Sequence, residues 1–267
     1  MDAPSVMSVR HTRSPVLIAR RVIYALLMRE VLTRFGAYRF GVVWLLLDPL
    51  IQVLIMVGLF AGVFHRMMPN VDYAVFIAVS IVPWMMFSNI ITRGMVAVES
   101  NKGLFAFRQV RPIDALVARV VLEVLVHAAA LVVVIFILHL LGYVVSLGRP
   151  IEFLLACFLM AFMASALALI LICVQRVAPE VKKGVEVVMR LLYFVSGIII
   201  PMSAIPASYR HYFDWNPLLH AMEFVHEAFF PAFHSVGGSW SYLAFSALVL
   251  NLIACVVYFL SSRKLLA

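Results

Sequence analysis

His220, Glu223, His226 and Glu227 recur at intervals that a helix turns to one face. Glu-x-x-His on a helix can supply metal ligands, but a bundle-type di-metal site needs a second such pair on another helix, and the sequence has none. His-Glu-x-x-His is also missing, because position 230 is Phe. The four residues therefore read as the wet face of an interfacial helix, with Leu218, Met222, Val225 and Phe229 opposite. A membrane metalloenzyme built on His220, Glu223 and His226 is the alternative class. Glu123 and His127, four apart, share a helical face and could relay protons, which makes a proton-coupled transporter a second alternative. The competing reading puts the pair on a cytosolic extension of a long helix, or pairs it with Arg119. No glycine-rich loop ends in Lys-Ser or Lys-Thr, since all four lysines precede Gly, Lys or Leu. The chain thus has no Walker-type nucleotide site, and any ATP-driven work needs a separate polypeptide.

Two segments have the composition of binding surfaces. Residues 1–41 hold seven arginines, among them Arg20, Arg21, Arg29, Arg34 and Arg39. The planar guanidinium fork suits bidentate contact with carboxylate or phosphate, so the cluster is a candidate seat for an anionic head group. Plain anchoring to an anionic leaflet is the competing reading. Within 16–35, Leu17, Tyr24, Met28, Val31 and Phe35 form an apolar stripe with Arg20, Arg29, Glu30 and Arg34 off it, although Arg21 intrudes and Ile23 and Leu27 fall on the polar side. The second segment is 99–112, where Leu104, Phe105, Phe107 and Val110 stand among basic flanks. Such knobs either dock into a soluble partner or pack on the protein's own inner surface, and spacing alone does not separate the two.

The elements that must position these residues are membrane helices. The chain is 65% hydrophobic and 13% charged, too few charges to cover a soluble domain of 267 residues. Continuous apolar runs rather than short alternating ones exclude a β-barrel, and about 20 residues suffice for each crossing. The runs predict six spans, at 42–64, 73–96, 114–146, 151–174, 184–200 and 242–260. The net charge of +8 suggests no nucleic acid, because the cations sit at the ends of these runs. Eighteen of the 21 Lys and Arg fall on one side of that topology; Arg66, Arg149 and Arg210 alone fall on the other. Both termini are therefore expected in the cytosol. No short apolar core precedes a cleavage site, so residues 1–41 are expected to remain as a cytosolic segment with an interfacial helix. The six-span region, 42–267, then has cytosolic loops at 97–113 and 175–184. Cys157, Cys173 and Cys255 lie within apolar runs at separations that fit neither zinc nor a disulfide framework.

Residues 201–235 are apolar but interrupted by Pro201, Pro206, Pro217 and Pro231 and by Arg210, His211 and Asp214. They predict an outward-facing re-entrant segment between spans five and six. Asn216-Pro217 marks a helix start there. Asp48-Pro49 and Gln52 near the inner end of the first span, and Ser80 with Pro83 in the second, predict local irregularity.

The stretch from Arg29-Glu30 through Arg34-Phe35-Gly36-Ala37-Tyr38-Arg39 to Gly41, Trp44 and Asp48-Pro49 resembles the start of span one in type-2 ABC polysaccharide-export permeases. Residues 194–203, Ile205-Pro206 and residues 216–223 resemble that family's fifth span and outer re-entrant helices. Within the family the likeness is to capsular polysaccharide exporters of Gram-negative bacteria, of the polysialic-acid, Kdo-linked kind. The resemblance implies an all-α permease without catalytic chemistry, metal or cofactor of its own, paired with a second copy and with two ATP-binding subunits that carry ATP and magnesium. It implies that Asn101, Lys102, Leu104, Phe105, Phe107 and Arg108 belong to a coupling helix, and it adds Tyr38 and Trp44 to the arginines as substrate-side residues. A lipid-linked acidic polysaccharide, a periplasmic adaptor and an outer-membrane pore complete the expected assembly in the inner membrane. Exporters of O-antigen or teichoic acid share the architecture and are the alternative within the family.

Overall fold

Fifteen consecutive residues, 73–87, are buried, and none carries a charge. The computed structural model describes residues 15–35, 41–67, 71–106, 110–231, 233 and 235–265. Tyr38, Arg39, Phe107 and Arg108 lie outside the described residues, as does the side chain of Trp44. The described chain is all-α: α1 (Pro15–Phe35), α2 (Gly41–Met67), α3 (Tyr73–Gly94), α4 (Ala97–Ser100), a 3₁₀ turn (Lys102–Ala106), α5 (Pro112–Leu140), α6 (Pro150–Gln175), α7 (Val181–Val195), α8 (Ala207–Arg210), α9 (Pro217–Phe229) and α10 (Trp240–Leu265). Among the described residues four helical stretches are long and apolar enough to cross a bilayer: Tyr73–Gly94, Pro112–Leu140, Pro150–Gln175 and Trp240–Ser261.

The buried run makes α3 the axis of the bundle, with α2, α5, α6, α7 and α9 packed around it. Association of apolar helices gains little from hydrophobicity where lipid tails compete, so close approach and interhelical hydrogen bonds matter more. Gly94 shows the first: a Cβ there would lie 2.8 Å from Ala168 Cβ and 3.1 Å from Leu116 Cδ1. Asn251 shows the second, donating to the Phe162 carbonyl of α6 at 3.0 Å and so tying α10 to the bundle. Phe245, Leu248, Leu252 and Phe259 on α10 stay exposed, as a lipid-facing surface requires.

Three local expectations are corrected. The third apolar run ends its helix at Leu140 and not near 146. Gly142 at φ +90° allows the left-handed turn that closes it, with Gly142 N–H donating to His139 O at 3.0 Å and Tyr143 N–H to Leu138 O at 3.1 Å. On α1 the protein-facing side is Val22, Ile23, Leu26 and Leu27, which pack with Ala115 and Ala118 of α5, while Tyr24, Met28 and Leu32 are exposed. The helix is apolar on two sides, so the one-stripe description chose the outward side and misassigned Ile23 and Leu27. The third correction is α9. Its Asn216 cap forms as expected, accepting from Leu218 N–H at 3.0 Å. Its supposed wet face is nonetheless buried, with His220 at 5%, Glu223 at 1% and His226 at 0% exposure. The helix is packed into the bundle against α6, α3 and α10.

Candidate functional site at the basic end of the bundle

Polar side chains fix α1 to the start of α5 and to the connection between α3 and α5. Arg29 Nη1 donates to Asn101 Oδ1 at 2.7 Å, and Asn101 Nδ2 donates to the Ala97 carbonyl at 2.8 Å. Glu30 accepts from Asn101 at 3.4 Å and is ion-paired to Arg119. Arg119 also donates to the Arg93 carbonyl at 2.8 Å, which closes the group on α3. Asn101, 4% exposed, is thus the buried hub joining α1 to the candidate coupling segment.

A second node lies deeper. Glu123, 1% exposed, accepts from Arg34 at 2.7 Å and Arg93 at 3.5 Å. His127 Nδ1 donates to the Glu123 carbonyl at 2.8 Å, and its Nε2 meets Asn89 Nδ2 at 3.1 Å. The carboxylate's partners are therefore Arg34 and Arg93 rather than Arg119, and Glu123 and His127 are both buried. Such a node holds α1, α3 and α5 together, and both ring nitrogens of the imidazole are occupied. Of the five arginines expected at the substrate side, Arg29 and Arg34 are engaged within the protein, Arg20 and Arg21 are exposed, and Arg39 lies outside the described residues.

The candidate coupling segment is divided. Leu104 and Phe105 pack against the Leu26, Ala115 and Ala118 cluster with Val110, whereas Lys102 and Gly103 are exposed. Phe105 also lines a groove of about 540 Å³, whose apolar floor adds Met95, Val98 and Ile172. Across the groove stands the α6–α7 turn, held by Glu99 Oε2, which accepts from Lys182 Nζ and Gln175 Nε2, each at 3.0 Å. The Lys182 hydrogen bond and charge hold the Glu99 carboxyl below the usual carboxylate range. Sequence reasoning missed this clasp. Its signal was an acidic residue in one basic loop and cations in another loop expected on the same side.

At the other end His220, Glu223 and His226 do not converge on a common point. His220 Nε2 donates to the Asp214 carbonyl at 2.8 Å and its Nδ1 accepts from Ser239 N–H at 3.2 Å. Glu223 accepts from Met202 N–H at 3.0 Å and Val236 N–H at 3.4 Å, stapling two loops. His226 Nε2 meets Ser80 Oγ at 2.7 Å, its ring stacked 4.2 Å from Phe76. Among the described residues no three His, Cys, Asp or Glu side chains gather as a metal site would require.

The ABC-2 type transporter family matches residues 21–230 of this sequence. The polysialic acid transport protein KpsM of Escherichia coli is 35% identical over 246 residues, covering 92% of this chain and 95% of that protein. The capsule polysaccharide export inner-membrane protein CtrC of Neisseria meningitidis is 31% identical, covering 80% of this chain and 81% of its own length. BexB of Haemophilus influenzae, which carries the same description, is 28% identical with 92% of each chain covered. A family match across more than half the chain, with relatives of this identity over most of it, establishes that the chain belongs to the ABC-2 type transporter membrane family.

Proposed function

We propose that this chain is the permease subunit of an ATP-driven exporter that carries a lipid-linked acidic capsular polysaccharide across the bacterial inner membrane. The observation that carries the reading is the similarity, over 80–92% of the chain, to proteins named for polysialic acid transport and capsule polysaccharide export. The four long apolar helices support membrane placement. In this reading α2 and α7, with the turns after α7, complete six spans, and α8 and α9 form the re-entrant segment. Helix α7 has 15 residues, about 22 Å at 1.5 Å each, so residues 196–200 must share its crossing. Eighteen cations on the α1 side support a cytosolic location for that end and for both termini.

Two copies would work with two ATP-binding subunits, which hold the nucleotide and magnesium, because this sequence has no phosphate loop. Lys102 and Gly103 present the coupling segment to that subunit, while Leu104 and Phe105 seat it on α1 and α5. Arg20 and Arg21, exposed next to the side of α1 that carries Tyr24, Met28 and Leu32, face the leaflet from which the anionic head of the substrate arrives. Tyr38 and Arg39 follow α1 in the sequence, and Trp44 stands near the start of α2. The glycan then passes to a periplasmic adaptor and an outer-membrane pore. Deleting the gene in its capsulated host tests the reading. Lipid-linked acidic glycan is expected to accumulate inside the cell and disappear from the surface. Normal capsule with loss of O-antigen instead would move the protein to the other branch.

A further inference from the structure

A crevice of about 370 Å³ opens on the side of the bundle between α3, α5 and α6. These are three of the four helices long enough to cross a bilayer, so the medium at the opening is hydrocarbon. Val82, Met86 and Leu131 form a buried floor, while Val132, Leu154 and Phe158 stand 61–67% exposed on the rim. The room comes from small side chains in the walls, Ala128 on α5 and Cys157 and Ala161 on α6. None of the described lining residues is charged. The imidazole among them, His127, has both ring nitrogens engaged, with the Glu123 carbonyl at 2.8 Å and Asn89 at 3.1 Å. A held water needs two to four polar partners, so the crevice suits neither water nor a charged head group.

Its shape narrows the choice of apolar occupant. The walls run from Val124 to Val132 on α5 and from Phe153 to Ala161 on α6, about 12 Å each at 1.5 Å per residue. The volume over that length gives a section of about 30 Å², against roughly 80–110 Å² for a helix 10–12 Å across. A neighbouring helix is too thick to enter, whereas a single hydrocarbon chain is not. Along α6 the crevice begins at Phe153, about 5 Å from Pro150, and stops at Ala161, about 21 Å short of Gln175. It is therefore within reach of one leaflet, the one at the Arg149 end.

We propose that this crevice binds one acyl chain of a membrane glycerophospholipid from the leaflet at the Arg149 end. The site goes beyond the export reading, since it requires bilayer placement of the helices and not the identity of the cargo. A chain seated there packs against His127 and so backs the node that ties α1 to α3 and α5. Lipid then acts as a structural member of the protein.

The test uses the full chain purified in detergent, with palmitoyl-oleoyl phosphatidylethanolamine titrated by native mass spectrometry and a diazirine-bearing analogue of that lipid to map contact. One tightly held lipid per chain is expected, with label on the α5 and α6 peptides of the crevice and a higher Tm when the lipid is added. Ala128 is exposed on the rim, so Ala128→Phe puts a ring into the crevice without displacing buried packing. Affinity should fall roughly tenfold, the effect of withdrawing about two methylenes from an apolar site. Ala129→Phe, exposed beside it but outside the crevice, should bind as the unaltered chain does. Cys157→Leu narrows the crevice from α6 and should weaken binding in the same direction, which keeps the test open if Ala128→Phe does not assemble. Undiminished affinity in the filling variants, or label as strong on the exposed face of α10 as in the crevice, would overturn the site. Lipid-linked glycan recovered there in place of phospholipid would assign the crevice to the anchor of the cargo and equally sink the proposal.

Discussion

Glu123→Gln isolates the node that holds α1 to the membrane helices. The carboxylate is 1% exposed, and its partners Arg34 and Arg93 are 18% and 42% exposed. Removing one member of a buried pair costs about 3–5 kcal/mol when the other charge is left without water. Here Arg93 already reaches solvent and Arg34 partly does, and Gln keeps a neutral acceptor for Arg34. The expected loss is therefore about 2–3 kcal/mol, at or below the lower end of that range. For a chain of this size each kcal/mol moves Tm by about 2–4 °C, so a fall of about 5–10 °C follows. The assay is thermal unfolding in detergent followed by loss of the monodisperse peak, together with thiol labelling of a Leu26→Cys probe. Leu26, on the protein-facing side of α1, is 4% exposed, and detachment of that helix opens the position to reagent. Arg34→Met combined with Glu123→Leu should recover most of the loss, because an apolar pair needs no charge compensation. If Glu123→Gln moves Tm by less than about 1 °C and the thiol of the Leu26→Cys probe stays protected, α1 is held by its apolar face alone, and the argument from the buried carboxylate fails.

Three further outcomes follow from the same geometry. Arg20→Lys with Arg21→Lys keeps the charge that anchors α1 but removes the fork, so insertion should be normal and export several-fold lower; unchanged export in a capsule assay reduces these residues to an anchor. His220→Ala should cost about 2 kcal/mol by leaving the Asp214 carbonyl and Ser239 N–H unpaired, and the purified protein should carry no stoichiometric zinc or iron by metal analysis. Bound metal lost in that variant would revive the enzyme reading. Gly94→Ala puts a methyl 2.8 Å from Ala168 Cβ, so α3 and α6 must separate, at about 1–3 kcal/mol measured as a lowered Tm.

Hydropathy and cation placement carried the all-α, membrane character and the positions of the helices, because apolar runs and charged ends respond to the bilayer and not to neighbouring helices. Local backbone rules were equally legible: Asn216-Pro217 starts α9 through a bond to the next residue but one, which needs no tertiary contact. The side facing the protein was not legible wherever a helix is apolar on two sides. On α1 both the side with Tyr24, Met28 and Leu32 and the side with Val22 and Leu26 could have faced inward, and only packing against Ala115 and Ala118 decided it. Polar residues were misread for a related reason. His220, Glu223 and His226 have the spacing of a wet face, yet each is buried because a distant loop or helix supplies its partner: Asp214 and Ser239, Met202 and Val236, and Ser80. Sequence spacing fixes which side chains share a helix face. Whether that face meets water, lipid or an unpaired backbone group depends on segments up to 146 residues away, and the tertiary structure alone brings those together.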